Sequence, residues 1–127
     1  MKEFVLFFRM DILTREVQPS AEQMKEYMEK WMEWISDISA KGQLADGGNH
    51  FFPTGKLLRP QSKISEGPYV VNNESVAGYI IILAKDFDDA VLVAKECPIL
   101  QGEGTSVEIR ESSTPESMKT VKRTTNR

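Results

Sequence analysis

The chain predicts an α+β fold in which an antiparallel sheet carries two helices on one face. Three observations lead there. Residues 3–10 and Ala77–Lys85 are apolar on alternate positions of both faces of an extended strand, which marks sheet centres. Two other stretches have helical spacing behind clear caps. The order then reads strand, helix, strand, irregular hairpin, strand, helix, strand, the ferredoxin-like split β-α-β arrangement, whose first and third main strands lie centrally. With 127 residues this is one domain, long enough to bury roughly two-thirds of its unfolded surface without a staple.

Each element has a local cause. Glu3–Met10 (Glu-Phe-Val-Leu-Phe-Phe-Arg-Met) is an apolar and aromatic run, hence a strand. Residues 11–19 are polar, end in Pro19 and form a loop. Ser20 with Gln23 makes a capping box that opens a helix. Met24, Met28, Trp31, Ile35 and Ile38 recur at helical spacing, with Trp34 flanking their face, and Gly42 supplies a left-handed C-terminal cap. Residues 43–52 form a second strand loosened by Gly47-Gly48. Leu57-Leu58 and Lys63-Ile64 form a short hairpin, where Pro60 favours an edge, and Asn72-Asn73 suits a turn. Ala77–Lys85 is the strong strand. Asp86 caps a second helix, with Asp88 and Asp89 in its first turn, and Cys97-Pro98 ends it. After Gly102-Glu103-Gly104, Ser106–Glu111 alternates Val107 and Ile109 with Glu108 and Arg110 as a half-buried strand.

The double-sided strands imply an assembly. Two helices cover one face of the sheet only. The other face leaves large side chains such as Phe7 and Ile81 in water, each worth about 1.5–3 kcal/mol when buried. A second copy packed sheet to sheet about a two-fold axis removes them from solvent, so a homodimer of the α+β-barrel type is expected.

Composition narrows the function classes. The net charge is −3, but residues 112–127 hold four bases and one acid, leaving 12 bases and 18 acids in the body, a net of −6. An acidic body argues against a nucleic-acid-binding fold, since phosphate neutralisation needs clustered Lys and Arg. Residues 112–127 read as a flexible basic tail, leaving 1–111 as the domain. One cysteine, Cys97, makes no internal disulfide and suits a reducing compartment. The opening residues are too charged and the run too short for a signal peptide, and no apolar stretch approaches a membrane span. The expectation is a cytoplasmic protein with no membrane partner.

The candidate site residues follow from chemistry. His50 is the only histidine; near a barrel mouth it suits a general base or a ligand contact, its ordinary alternative being a structural surface histidine. Asp46, four residues earlier, shares its strand face unless a bulge intervenes. Arg9 shares a face with Val5 and Phe7, where its charge needs a partner or an anionic ligand. Tyr79 on the strong strand is a further pocket candidate, and Tyr69, in the turn Glu66-Gly67-Pro68-Tyr69 that carries the family resemblance given below, is expected to offer a hydroxyl at a pocket rim. Cys97 and the aspartates 86, 88 and 89 are explained by burial and helix capping. One Cys and one His make no metal site, Gly102-Glu103-Gly104 lacks the Lys-Ser or Lys-Thr of a phosphate loop, and no cofactor is expected.

Several of these segments, in this order, resemble the Asp-Gly-Pro-Phe branch of the YCII-related proteins. The resemblance covers residues 1–111 and rests on Met1–Arg9, the Met- and Trp-rich helix, Gly42-Gln43-Leu44, Asp46-Gly47-Gly48, Glu66-Gly67-Pro68-Tyr69, Gly78-Tyr79, Asp88-Asp89-Ala90, Cys97-Pro98 and Val107-Glu108-Ile109-Arg110. It implies a dimeric α+β barrel similar in fold to muconolactone isomerase, in a family whose activities are mostly unknown; the first functional reading is a homodimer that binds a small polar or aromatic molecule in a pocket of the barrel. Alternatives are a cofactor-independent isomerase, lyase or monooxygenase, or a regulatory partner of a transcription factor, since such proteins often sit near sigma factors in genomes. Two departures stand out. The signature is Glu66-Gly67-Pro68-Tyr69 here. The Arg-Pro-x-His and Asp-Pro that YCII proteins carry are Gln18-Pro19-Ser20-Ala21 and Cys97-Pro98, so that acid-base pair does not carry over.

Overall fold

The computed structural model describes residues 1–14 and 18–113. The basic tail expected over 112–127 therefore lies, from residue 114 onward, outside the described residues. Among the described residues six strands and two α-helices follow in the order β1 (Lys2–Asp11), α1 (Ala21–Ala40), β2 (Leu44–His50), β3 (Lys56–Arg59), β4 (Lys63–Glu66), β5 (Glu74–Ala84), α2 (Phe87–Ala94) and β6 (Thr105–Glu111), with 3-10 turns at Pro60–Ser62 and Pro98–Gln101. The main sheet is antiparallel in the order β2-β5-β1-β6, so β1 and β5 are central; β3 and β4 form a separate hairpin.

Local chemistry sets the boundaries. The Ser20 hydroxyl accepts from the Gln23 N–H and the Gln23 side chain accepts from the Ser20 N–H, closing the capping box. At the other end Gly42 is left-handed at φ +70, and the Gly42 and Gln43 N–H groups donate to Ser39 and Ile38 carbonyls. Asp86 caps α2 by accepting from the Asp89 N–H at 2.9 Å. Asn72 and Asn73 are both left-handed, and Val71 and Glu74 exchange two backbone hydrogen bonds across them, a two-residue turn that starts β5 three residues before the expected Ala77.

The core lies between the sheet and the helices. Phe4, Leu6, Phe8, Ile80, Ile82 and Ala84 face Trp31, Trp34, Ile38, Ala90 and Ala94. Both helices thus cover one face. Phe8 meets Trp31 and Trp34 edge-on at centroid distances of 4.7 and 5.9 Å, and the Trp34 Nε1–H donates to the Val93 carbonyl at 3.2 Å, tying α1 to α2. The expected buried stripe of α1 needs correcting. Trp31, Trp34 and Ile38 are buried, Ile35 is half-buried, and Met24 and Met28 are 42% and 38% exposed. The N-terminal half of α1 does not close onto the sheet.

The opposite face carries Val5, Phe7 and Arg9 of β1 and Val76, Tyr79, Ile81 and Leu83 of β5, all partly exposed. Among the described residues no helix is long and apolar enough to cross a membrane.

Candidate functional site

Where the N-terminal half of α1 stands away from the sheet there is a cavity of about 650 Å³. Phe8 and Met10 of β1 and Ala77 of β5 line it from the sheet, Met24, Tyr27 and Met28 from α1, His50 and Phe51 from the end of β2, and the segment Pro98–Thr105 from the far side. A volume of this size lies in the range of ligand pockets. A bulge places Ala77 in this lining: the β1–β5 register passes from Phe8↔Gly78 to Arg9↔Val76, leaving Ala77 as an extra residue, and its carbonyl accepts the Phe51 N–H at 2.7 Å.

His50 reaches the cavity through two irregularities in β2. Directly paired residues in an antiparallel ladder point to the same face. Leu44 pairs with Ile82 and faces the helices; Asp46 pairs with Ile81 and Asn49 with Tyr79, on the open face; His50 pairs with Gly78 and faces the helices again. The register shifts between Leu44 and Asp46 and again between Asp46 and Asn49. Asp46 and His50, four residues apart, therefore lie on opposite faces, and the Asp46 carboxylate accepts from the Gly48 N–H at 2.8 Å within the bulge. Gly48 is required there: its φ is +63, and a Cβ would fall 1.7 Å from the Tyr79 carbonyl oxygen. Across the ladder a Cβ on Gly78 would fall 2.6 Å from the Asn49 oxygen.

The His50 ring packs on Trp31 at a centroid distance of 4.8 Å, interplanar 64°, and Tyr27 packs on the same indole at 5.8 Å. Although much of the residue is exposed, partial burial lowers the pKa of His50 below the usual histidine value, which favours the neutral ring at pH 7. Burial raises the Tyr27 phenol above its ordinary range, with a smaller contribution from Cys97. The Cys97 thiol, buried behind α2, is pushed up to about 12 by the same cause and stays protonated. Glu26, Lys30 and Glu103 are the charged side chains among the described lining residues.

The other sequence candidates lie elsewhere. Arg9 is on the open face, where it donates to Glu108 at 2.9 Å; its need for a counter-charge is met within the chain. The hydrogen bond from Arg9 is the main cause holding the Glu108 carboxyl below its ordinary value. Tyr79 is half-buried on the same face, 6.1 Å from the Phe51 ring. Tyr69 is exposed just after Gly67, whose φ is +90 and whose N–H donates to Gly55; it lines neither face nor cavity. The five candidates are thus not one constellation. The sequence reading passed over Tyr27, Met10, Phe51 and Thr105; the signal for Tyr27 was a phenol placed between Met24 and Met28 on a helix turn. Among the described residues no three metal-ligating side chains converge.

No protein-family model matches the chain, and no curated protein matches it significantly. What the fold and cavity define is an α+β protein with a four-stranded antiparallel sheet and an apolar pocket under its longer helix.

Proposed function

We propose that the chain is a YCII-like homodimer, a dimeric α+β barrel, that binds a small polar or aromatic molecule in the cavity beneath α1. The observation that carries this reading is the cavity itself: an opening of about 650 Å³ whose Met and aromatic side chains alternate with Gln, Glu, Lys and Thr side chains, with one imidazole and one phenol among them. Apolar wall area with polar groups converging on it is the usual composition of small-molecule sites. The half-exposed apolar strip of β1 and β5 supports the two-fold assembly, since sheet-to-sheet packing withdraws Phe7, Ile81 and Leu83 from water. A thermal-shift screen of small metabolites tests the binding. Hits are expected to raise the melting temperature of the native chain, and to do so less in a variant whose cavity is filled by Ala77→Phe. A screen without a hit sinks the reading.

A second reading has one observation in its favour. A neutral His50 in the same cavity as Glu26 and Glu103 has the protonation state of a general base at pH 7, which suits a cofactor-independent isomerase, lyase or monooxygenase. Turnover of a bound hit that His50→Gln abolishes while binding survives would establish it.

A further inference from the structure

We infer that the cavity takes an uncharged, planar aromatic molecule of two or three rings bearing a hydroxyl or carbonyl, which hydrogen-bonds to the Tyr27 hydroxyl and the His50 imidazole. This rests on the reading of the cavity as a small-molecule site and adds the chemistry of the occupant. The walls come first. Met10, Met24 and Met28 stand with Phe8 and Phe51 around the space. Thioethers adapt to flat faces and make favourable contacts at ring edges, so this lining suits an aromatic plane better than a sugar or a branched aliphatic chain. The volume exceeds what a single ring fills.

The polar groups come second. Tyr27 and His50 both pack on the Trp31 indole, which fixes them relative to one another on the cavity lining. Burial is the main cause of the shift in both groups, and among the described residues neither side chain has a hydrogen-bond partner. One hydroxyl and one imidazole therefore remain to pair with an occupant. A neutral phenol and a neutral imidazole, each packed on the Trp31 indole, favour a neutral partner over an ion that must shed its hydration. Charge comes third. Glu26 and Glu103 outnumber Lys30 among the described lining residues, which disfavours a carboxylate.

Three probes that share one ring system test this: 2-naphthol, 2-naphthoate and naphthalene, titrated into the native chain at pH 7 with tryptophan fluorescence and calorimetry as readouts. The expected order is 2-naphthol first, tighter than either of the others by about 10-fold, the scale of one or two satisfied polar contacts. Tyr27→Phe and His50→Phe are each expected to lower 2-naphthol affinity several-fold and leave naphthalene unchanged. Naphthoate binding as tightly as naphthol overturns the inference and leaves the small-molecule site standing. Naphthol no tighter than naphthalene overturns the role of Tyr27 and His50. Failure of all three probes, together with a metabolite screen without hits, overturns both readings. The probe comparison on the native chain stands even where a variant folds poorly.

Discussion

Gly48 is the residue on which the site's geometry turns. It alone accepts the left-handed backbone and the close approach to the Tyr79 carbonyl that reverse the side-chain parity of β2. Gly48→Ala is expected to cost at least ~2 kcal/mol in urea unfolding, because left-handed strain adds to a backbone clash. His50 gives a pH prediction. Its folded pKa lies below the unfolded value, so its contribution to stability is present above the unfolded pKa of about 6.5 and is lost as pH falls through the folded value. Melting temperatures measured from pH 7.5 down to 5 are expected to fall more steeply for the native chain than for His50→Phe. At this scale the sequence was only partly legible. His50 was visible as the single histidine, but its separation from Asp46 depends on counting bulge residues, and Gly47-Gly48 announces a bulge without giving its number of residues. Tyr27 was hidden because Met24 and Met28 have the spacing of a core face.

Among the elements, α1 differs most from its expected packing. Its C-terminal half is anchored by Trp31, Trp34 and Ile38, while its first turns rest on the capping box and line the cavity. Ser20→Ala is therefore expected to lower stability by about 1 kcal/mol and to raise hydrogen exchange selectively in the first two turns. The order of elements and the central position of β1 and β5 were readable, since caps and alternation are local signals: Ser20 with Gln23, Gly42, Asp86, and the facing sets Phe4-Leu6-Phe8 and Ile80-Ile82-Ala84. The exposure of Met24 and Met28 was not, because where α1 packs depends on the contact of the two indoles with Phe8, between residues far apart in the chain.

For the whole molecule, the open face separates an apolar strip on β1 and β5 from the charged group Arg9, Glu108 and Arg110 towards β6. Ile81→Lys places a charge in the middle of the strip. It is expected to convert the proposed dimer to monomer in small-angle scattering across a micromolar concentration series, whereas Glu108→Gln, at the strip's border, leaves the assembly in place. A monodisperse monomer of the native chain at those concentrations would sink the sheet-to-sheet arrangement. The broken register of β2 has a further consequence at this scale. β2 is an outer strand, and an outer strand with evenly spaced free amides and carbonyls templates the addition of another chain. With its ladder to β5 interrupted before and after Asp46, β2 is a bulged strand, and bulges disfavour the even pairing a newcomer needs. The irregularity that carries His50 into the cavity also guards that edge against strand-by-strand aggregation.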